Sequence, residues 1–192
     1  YDGINVELIK SDTNRVEITG KNTAYIVVKN KNGDLKIRLS VEKRFSGNRT
    51  KVSVFYKNVY SIISHEGANV FSKDTIIQAD LKLKANSGSR QNMIVKLNTL
   101  EATATAGAKI NISGEVKYQN LSAATGSEIS ASKLANEEAN VISTTGALID
   151  VSSTKDLELN SKIGGIINVH TKTDKIIEKI SVGGTVNYLY ED

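Results

Sequence analysis

The sequence of 192 residues contains no cysteine and no proline, and only 5% of its residues are aromatic. Without cysteine the chain has no disulfide, no Cys-based zinc site and no thiol catalysis. Without proline it has no residue that would interrupt the hydrogen bonds of a β-ladder. The apolar residues are mostly Ile, Val, Leu and Ala. We therefore expect a core of thin aliphatic layers.

Long apolar runs and basic clusters are also missing. No apolar run approaches the ~20 residues of a membrane-spanning helix. The net charge of +4 comes from 25 basic and 21 acidic residues that are scattered along the chain. No Lys/Arg cluster has interleaved aromatics, which speaks against a nucleic-acid partner. Because the chain begins at Tyr1 rather than Met, we expect that a native start or a signal peptide was removed.

A repeat of about nineteen residues is the main signal in the sequence. One glycine marks each turn, at successive spacings of 21, 19, 19, 20, 18 and 19 residues. These glycines are Gly67, Gly88, Gly107, Gly126, Gly146, Gly164 and Gly183. The residue after each glycine is small in every turn. This pattern predicts a corner between strands, where a positive φ or a close backbone approach excludes larger side chains.

The residues after each glycine alternate between apolar and polar columns. Three residues after the glycine stand Val70, Gln91, Ile110, Ile129, Ile149, Ile167 and Val186. One residue further on, the outward column consists of Phe71, Asn92, Asn111, Ser130, Asp150, Asn168 and Asn187. A second alternating segment precedes each glycine. The period of two predicts strands with one face turned inward.

Stacked repeats of this kind predict an all-β fold, a right-handed parallel β-helix with turns of about nineteen residues. A single turn cannot bury its inner face, whereas stacked turns pair every strand with its neighbours. No hexapeptide pattern indicates a left-handed helix. An antiparallel sandwich is the structural alternative, but it would not need a glycine and a β-branched residue in fixed columns.

We expect one domain over residues 1–192, with regular turns over 60–192 and irregular strands over 1–59. Asn32 and Gly33 lie between two alternating segments and predict a type I′ hairpin. We expect this hairpin to cap the first turn, with a loop at residues 46–49. Only nine residues follow Gly183, too few for a cap. That end is expected to be shielded by side chains, by removed residues or by another subunit.

Recognisable catalytic or metal-binding chemistry is missing from the sequence, and no cofactor is expected. Glu137 and Glu138 form an adjacent acidic pair, in a segment that we interpret as a solvated loop between strands. His65 and His170 stand alone, about five turns apart. Glycoside hydrolysis needs paired carboxylates, and calcium needs six to eight oxygen ligands. We therefore predict a protein that is not an enzyme.

The outward column is the remaining candidate for binding. Its members from the second turn onward are Asn92, Asn111, Ser130, Asp150, Asn168 and Asn187. Spaced amides and hydroxyls can hydrogen-bond the hydroxyls of a carbohydrate or a surface polymer. The alternative is that they only solvate the sheet. Phe71, at one end, is the one aromatic residue that could stack on a sugar.

The opening residues 1–8, with Gly3-Ile4-Asn5, resemble the start of the auto-transporter adhesin family with a head GIN domain, as do residues 16–18 and 34–37. Blocks such as Ala106-Gly107-Ala108 are similar to its Ser-Gly-Gly-Ser-Asp turns, although Lys109 replaces the aspartate. The resemblance covers nearly the whole chain. It implies a parallel β-helix, export from a Bacteroides-like bacterium to the periplasm or outer surface, and an adhesin-like role.

Three functions stay open on these grounds. The first is a surface adhesin that binds a glycan or surface polymer. The second is a structural protein that forms homo-oligomers through its C-terminal end. The third is a lyase or hydrolase acting on polysaccharide.

Overall fold

The computed structural model describes residues 1–40 and 50–190, and these form strands with no α-helix among them. The residues predicted to form a loop at 46–49 lie outside the described ranges. The strands are β1 (Asn5–Lys10), β2 (Arg15–Gly20), β3 (Ile26–Lys31), β4 (Asp34–Leu39), β5 (Thr50–Tyr56), β6 (Ser61–Ser64), β7 (Asn69–Ser72), β8 (Ile76–Ile77), β9 (Asp80–Ala85), β10 (Arg90–Ala104), β11 (Lys109–Ala123), β12 (Glu128–Thr144), β13 (Leu148–Val151), β14 (Asp156–Lys162), β15 (Ile166–Val169), β16 (Lys175–Ser181) and β17 (Thr185–Tyr188).

Parallel pairing between successive turns builds the molecule. Arg90 pairs with Lys109, and Lys109 pairs with Glu128, so partners lie one repeat apart. This confirms the predicted β-solenoid and its turn of about nineteen residues. Crossovers between parallel strands are right-handed in ~98% of cases, the sense that we expect here.

Each central turn has three sides. The first face contains the strand segment that follows the corner glycine, and the third face contains the segment that precedes the next one. A short middle side joins them. The chain passes from one side to the next where the alternation of buried and exposed residues is interrupted. In β11 this happens at Lys117 and Tyr118, two consecutive exposed residues between the middle side and the third face. The sequence columns predict the first and third faces but not the middle side.

The corners are turns in which two consecutive residues have positive φ. In the turn at Gly107, φ is 52° for Ala106 and 71° for Gly107. The glycine N–H donates to the carbonyl of the positive-φ residue one turn further on, as from Gly107 to Thr125 at 3.1 Å. The second small residue is required for a different reason. A Cβ on Gly165 would lie 2.4 Å from the carbonyl oxygen of Ser143.

The inward columns form one continuous core. Ile110, Ile129, Ile149 and Ile167 are fully buried, each above the next in register. Gln91 interrupts this column but is also fully buried. Its Nε2 donates to the carbonyl of Lys84 at 2.9 Å and to Ser64 Oγ at 3.0 Å, and these hydrogen bonds offset part of the cost of burying the amide.

The N-terminal residues extend the solenoid beyond the predicted repeat. Gly3 occupies the same corner as Gly67, with φ of 68°, and its N–H donates to the carbonyl of Glu66 at 2.9 Å. Strand β1 therefore pairs in parallel with β7 on one side and with β5 on the other. Strand β2 then pairs antiparallel with β5.

The hairpin predicted at Asn32-Gly33 is present as β3 and β4, with φ of 53° and 91° at the two turn residues. Ile26 and Leu39 from this hairpin are buried in the core. Leu39 N–H donates to the carboxylate of Asp2 at 2.9 Å, next to the first corner. The hairpin thus packs on the first turn.

Candidate functional site

The predicted outward column forms one straight line on the first face. Asn92 pairs in register with Asn111, and the line continues through Ser130, Asp150, Asn168 and Asn187. The side chains are exposed or half-buried. The structure therefore brings all six predicted residues together.

Hydrogen bonds between neighbouring turns occupy part of this column. The amide of Asn111 donates to Asn92 Oδ1 at 2.8 Å, and the amide of Asn187 donates to Asn168 Oδ1 at 2.9 Å. Asp150 accepts from Asn168 at 3.0 Å, and its Oδ1 lies 2.9 Å from His170 Nε2. These contacts tie adjacent turns together and leave fewer polar groups for a ligand.

A shallow groove on the third face offers a second set of polar groups. We call it the third-face groove. It consists of a depression of about 550 Å³ and an adjoining one of about 290 Å³, and Asn120 and Asn140 line both. Its central column, six residues before each corner glycine, consists of Glu101, Asn120, Asn140, Glu158 and Ile177. This column belongs to the same repeat that predicts the outward column, and its fixed spacing before the glycine is the signal that locates it in the sequence.

An aromatic ring and a basic side chain border the larger depression. Tyr118 is 37% exposed, and Lys117 Nζ lies 5.0 Å from the centre of its ring. A hydrogen bond with the Tyr118 side chain raises the pKa of the Lys117 ammonium. The Tyr118 ring therefore gives the third-face groove an apolar surface for a ligand. On the first face, the outward column has an aromatic ring only at Phe71, at one end.

The acidic pair lies in a strand, so the prediction of a loop between strands is wrong. Glu137 and Glu138 belong to β12, at the corner between the middle side and the third face. Glu137 pairs with Lys155 at 2.8 Å, and this hydrogen bond lowers the pKa of Glu137 and raises that of Lys155. Glu138 lies on the wall of the third-face groove. Register pairing with β11 is present on both sides of this corner, at Asn136 and at Glu138.

Within residues 1–40 and 50–190, no group of three His, Cys, Asp or Glu side chains is arranged to hold a metal ion. None of the helical segments there is long and apolar enough to span a membrane. His65 stacks on Tyr1 with ring centres 5.0 Å apart, far along the chain from the pair formed by His170 and Asp150.

The last turn exposes residues whose counterparts are buried elsewhere. Ile180 is 49% exposed, whereas Ser161, one turn earlier in the same inward column, is fully buried. Tyr188 is 42% exposed, whereas Val169, its partner one turn earlier, is fully buried. We call this surface the open end.

The chain matches a known family over most of its length. Residues 1–173 match the family described as "Putative auto-transporter adhesin, head GIN domain". No curated protein matches.

Similar solved structures have the same fold at low identity. A "putative adhesin" from Bacteroides fragilis is 14% identical with a TM-score of 0.86, over 96% of this chain and 88% of that one. A "putative adhesin" from Parabacteroides merdae is 19% identical with a TM-score of 0.77, over 97% and 89%. A "putative lipid binding protein" from Parabacteroides distasonis is also 19% identical, with a TM-score of 0.72, over 98% and 92%.

Proposed function

Because the chain belongs to the auto-transporter adhesin family with a head GIN domain, we propose that it is an exported, non-enzymatic adhesin that binds carbohydrate through the third-face groove. The observation that carries the proposal is the groove itself, where Tyr118 stands beside the amides of Asn120 and Asn140. An aromatic ring can pack on the apolar face of a sugar while amides hydrogen-bond its hydroxyls.

The chemistry of the groove favours sugar over an acyl chain. Its central column is polar in four of five positions, and an acyl chain would leave those groups without partners. The first-face column, with Asn111 and Asn168, is the competing carbohydrate surface. Its amides are partly used by the hydrogen bonds between turns.

A glycan array with two double variants tests the proposal. We expect Asn120→Ala/Asn140→Ala to lose binding and Asn111→Ala/Asn168→Ala to retain it, with both variants folded by circular dichroism. Loss of binding only in the Asn111/Asn168 variant would move the site to the first face. A wild-type protein that binds no glycan would refute carbohydrate recognition. Bound polysaccharide should release no new reducing ends, and their release would instead favour the lyase or hydrolase.

Export to the periplasm or the outer surface is part of the same proposal, and the family description supports it. Cell fractionation and surface protease treatment of the native host would distinguish the two places. Recovery of the protein in the cytoplasm would contradict export.

Assembly through the open end is the second candidate function. Ile180 and Leu189 expose apolar surface beside the outer edges of β16 and β17, which pair on one side only within the described residues. Edge strands of this kind readily pair with another chain. The first turn is capped by the hairpin and is less suited to such pairing. A second copy would therefore contact the open end with its own open end. Light scattering should show a dimer that Ile180→Lys/Leu189→Lys dissociates, and a monomer at high concentration would contradict it.

A further inference from the structure

We propose that the third-face groove holds an extended, uncharged, linear glycan that runs along the stacking axis with one sugar residue per turn. This inference rests on the proposed function, and it adds the orientation, length and charge of the ligand.

The orientation follows from the column that both depressions share. Glu101 pairs in register with Asn120, Asn120 with Asn140, Asn140 with Glu158, and Glu158 with Ile177. These five residues come from β10, β11, β12, β14 and β16, so the column crosses five neighbouring strands. At a strand spacing of ~4.8 Å it is about 19 Å long. Along the strands, by contrast, the two depressions together span residues 118–122 of β11, a distance of about 13 Å.

The repeat distance suits an extended polysaccharide. In a β-1,4-linked chain each pyranose ring advances by roughly the spacing between two strands of a sheet. A glycan on this axis would therefore meet one residue of the central column at each turn. Asn120 and Asn140 would face neighbouring sugars, with donor and acceptor atoms for their hydroxyls. Tyr118 and the half-buried Ile142 border the column on opposite sides and offer apolar surface to the rings.

Acidic side chains outnumber basic ones along the groove and oppose an acidic ligand: Glu101, Glu138, Asp156 and Glu158 line it with Lys175. Lys117, at the border, lies near the carboxylates of Glu137 and Glu138. The lysines at its two ends are already paired: Lys82 with Glu101 at 2.5 Å, and Lys179 with Glu158 at 3.0 Å. Lys175 lies 3.5 Å from Asp156. Glu138, on the wall beside Asn140, has no partner within ion-pair distance among the described residues, although Lys117 and Lys155 lie near enough to interact with its charge. Its carboxylate would repel the carboxylates of a uronic acid polymer, whereas it can accept hydrogen bonds from neutral sugars.

Calorimetry with cello-oligosaccharides of increasing length tests the orientation and the length. We expect affinity to rise by about tenfold or more between two and five sugars and then to level off. Levelling at two sugars would place the glycan along the strands and overturn the inference. If the array shows a bound glycan but no cello-oligosaccharide binds, the inference fails while the proposed function stands. If nothing binds in either assay, the proposed function itself fails.

Two matched variants test whether Ile177, the fifth residue of the central column, contacts the fifth sugar. Ile177→Glu should reduce the affinity for the pentasaccharide to that for the tetrasaccharide and leave the disaccharide unchanged. Ile63→Glu alters an isoleucine of similar exposure, 55% against 46%, on the same face but outside the groove, and should change neither. Equal effects of the two variants would contradict the assignment of Ile177 to the groove.

Glucuronic acid counterparts of the same oligosaccharides test the charge. The wild-type protein should bind them at least tenfold more weakly than the neutral series, and Glu138→Gln should reduce that difference. Comparable binding of both series by the wild-type protein would overturn the exclusion of acidic glycans.

Discussion

At the scale of single residues, each corner needs a positive φ at two consecutive positions, and only one of the two is a glycine. Glycine satisfies the positive φ at one position, but the residue before it also has positive φ and is not glycine. At four corners this residue is β-branched with φ near 50°: Thr125 (55°), Thr145 (54°), Ile163 (52°) and Val182 (49°). A left-handed conformation is unfavourable for such residues by roughly 1–2 kcal/mol. The hydrogen-bond ladder between corners holds them in place.

Replacement of Ile163 by asparagine should therefore stabilise the protein. Asparagine tolerates the left-handed region, and the Ile163 side chain is 54% exposed, so little packing is lost. We expect the free energy of unfolding to rise by about 1 kcal/mol, measured by urea denaturation. Ile166→Asn, in an extended segment, is the control and should be destabilising. Equal or lower stability of Ile163→Asn would show that φ is not the limiting factor.

Gly165 should tolerate no side chain, for reasons of space alone. The added Cβ would meet the Ser143 carbonyl at 2.4 Å, so Gly165→Ala should lower the free energy of unfolding by about 2 kcal/mol. Ala147 occupies the same column one turn earlier, and there the corner has space for the methyl group of an alanine. Ala147→Gly should cost only about 1 kcal/mol through chain entropy. A neutral Gly165→Ala variant would mean that the neighbouring turn can shift.

At the scale of elements, the junction of β1 and β5 couples the cap to the solenoid. Glu7 of β1 is mostly buried, with a side chain that is 13% exposed, and Lys51 of β5 reaches it at 2.9 Å. This hydrogen bond lowers the pKa of Glu7 below its ordinary value. The unfolded chain binds the proton more readily than the folded one. The stability from the pair is therefore full above the ordinary pKa of a glutamate, and it is lost as the pH falls through the lowered pKa.

Lys51→Met should remove this pH-dependent contribution. At about pH 7 we expect a loss of about 1 kcal/mol, and at about pH 2 no difference from the wild type, because Glu7 is then protonated in both. Urea denaturation across this range measures the effect. Lys96→Met breaks an exposed pair with Glu115 and should change stability little at either pH. A loss for Lys51→Met that persists at low pH would indicate lost packing instead.

At the scale of the whole molecule, most contacts join adjacent turns, so the environment of a turn depends on its place in the stack. Turns in the middle have neighbours on both sides, and the first turn has the hairpin. The last turn has a neighbour on one side among the described residues, and every residue of β16 is at least partly exposed.

Hydrogen exchange should follow this order. Amides of β11 and β12 should be the most protected, and those of β16 and β17 should exchange first, by local opening of the final turn. Mass spectrometry of peptic fragments measures the gradient. Uniform protection from β11 to β17 would indicate that another chain covers the open end, which a dilution series would test. The amides of β1 serve as the control for a capped end.

The sequence by itself determined the solenoid, because each turn repeats the same contacts and so imposes the same residue types at the same offsets. Gly126 must have a positive φ, and Ile129 must pack on Ile110, whatever the rest of the chain does. The I′ hairpin was likewise readable, because Asn32 and Gly33 determine its geometry locally. The six residues of the outward column were predictable as a line for the same reason.

Only the tertiary structure decided the features that depend on contacts between segments with no fixed spacing along the chain. Gly3 joins the corner of Gly67 although the β2, β3 and β4 segments lie between them in the chain. Glu138 lies in a strand rather than a loop because its neighbours pair with other turns. The groove depends on the depth between side chains such as Tyr118 and Ile142, and spacing along the chain carries no information about that depth.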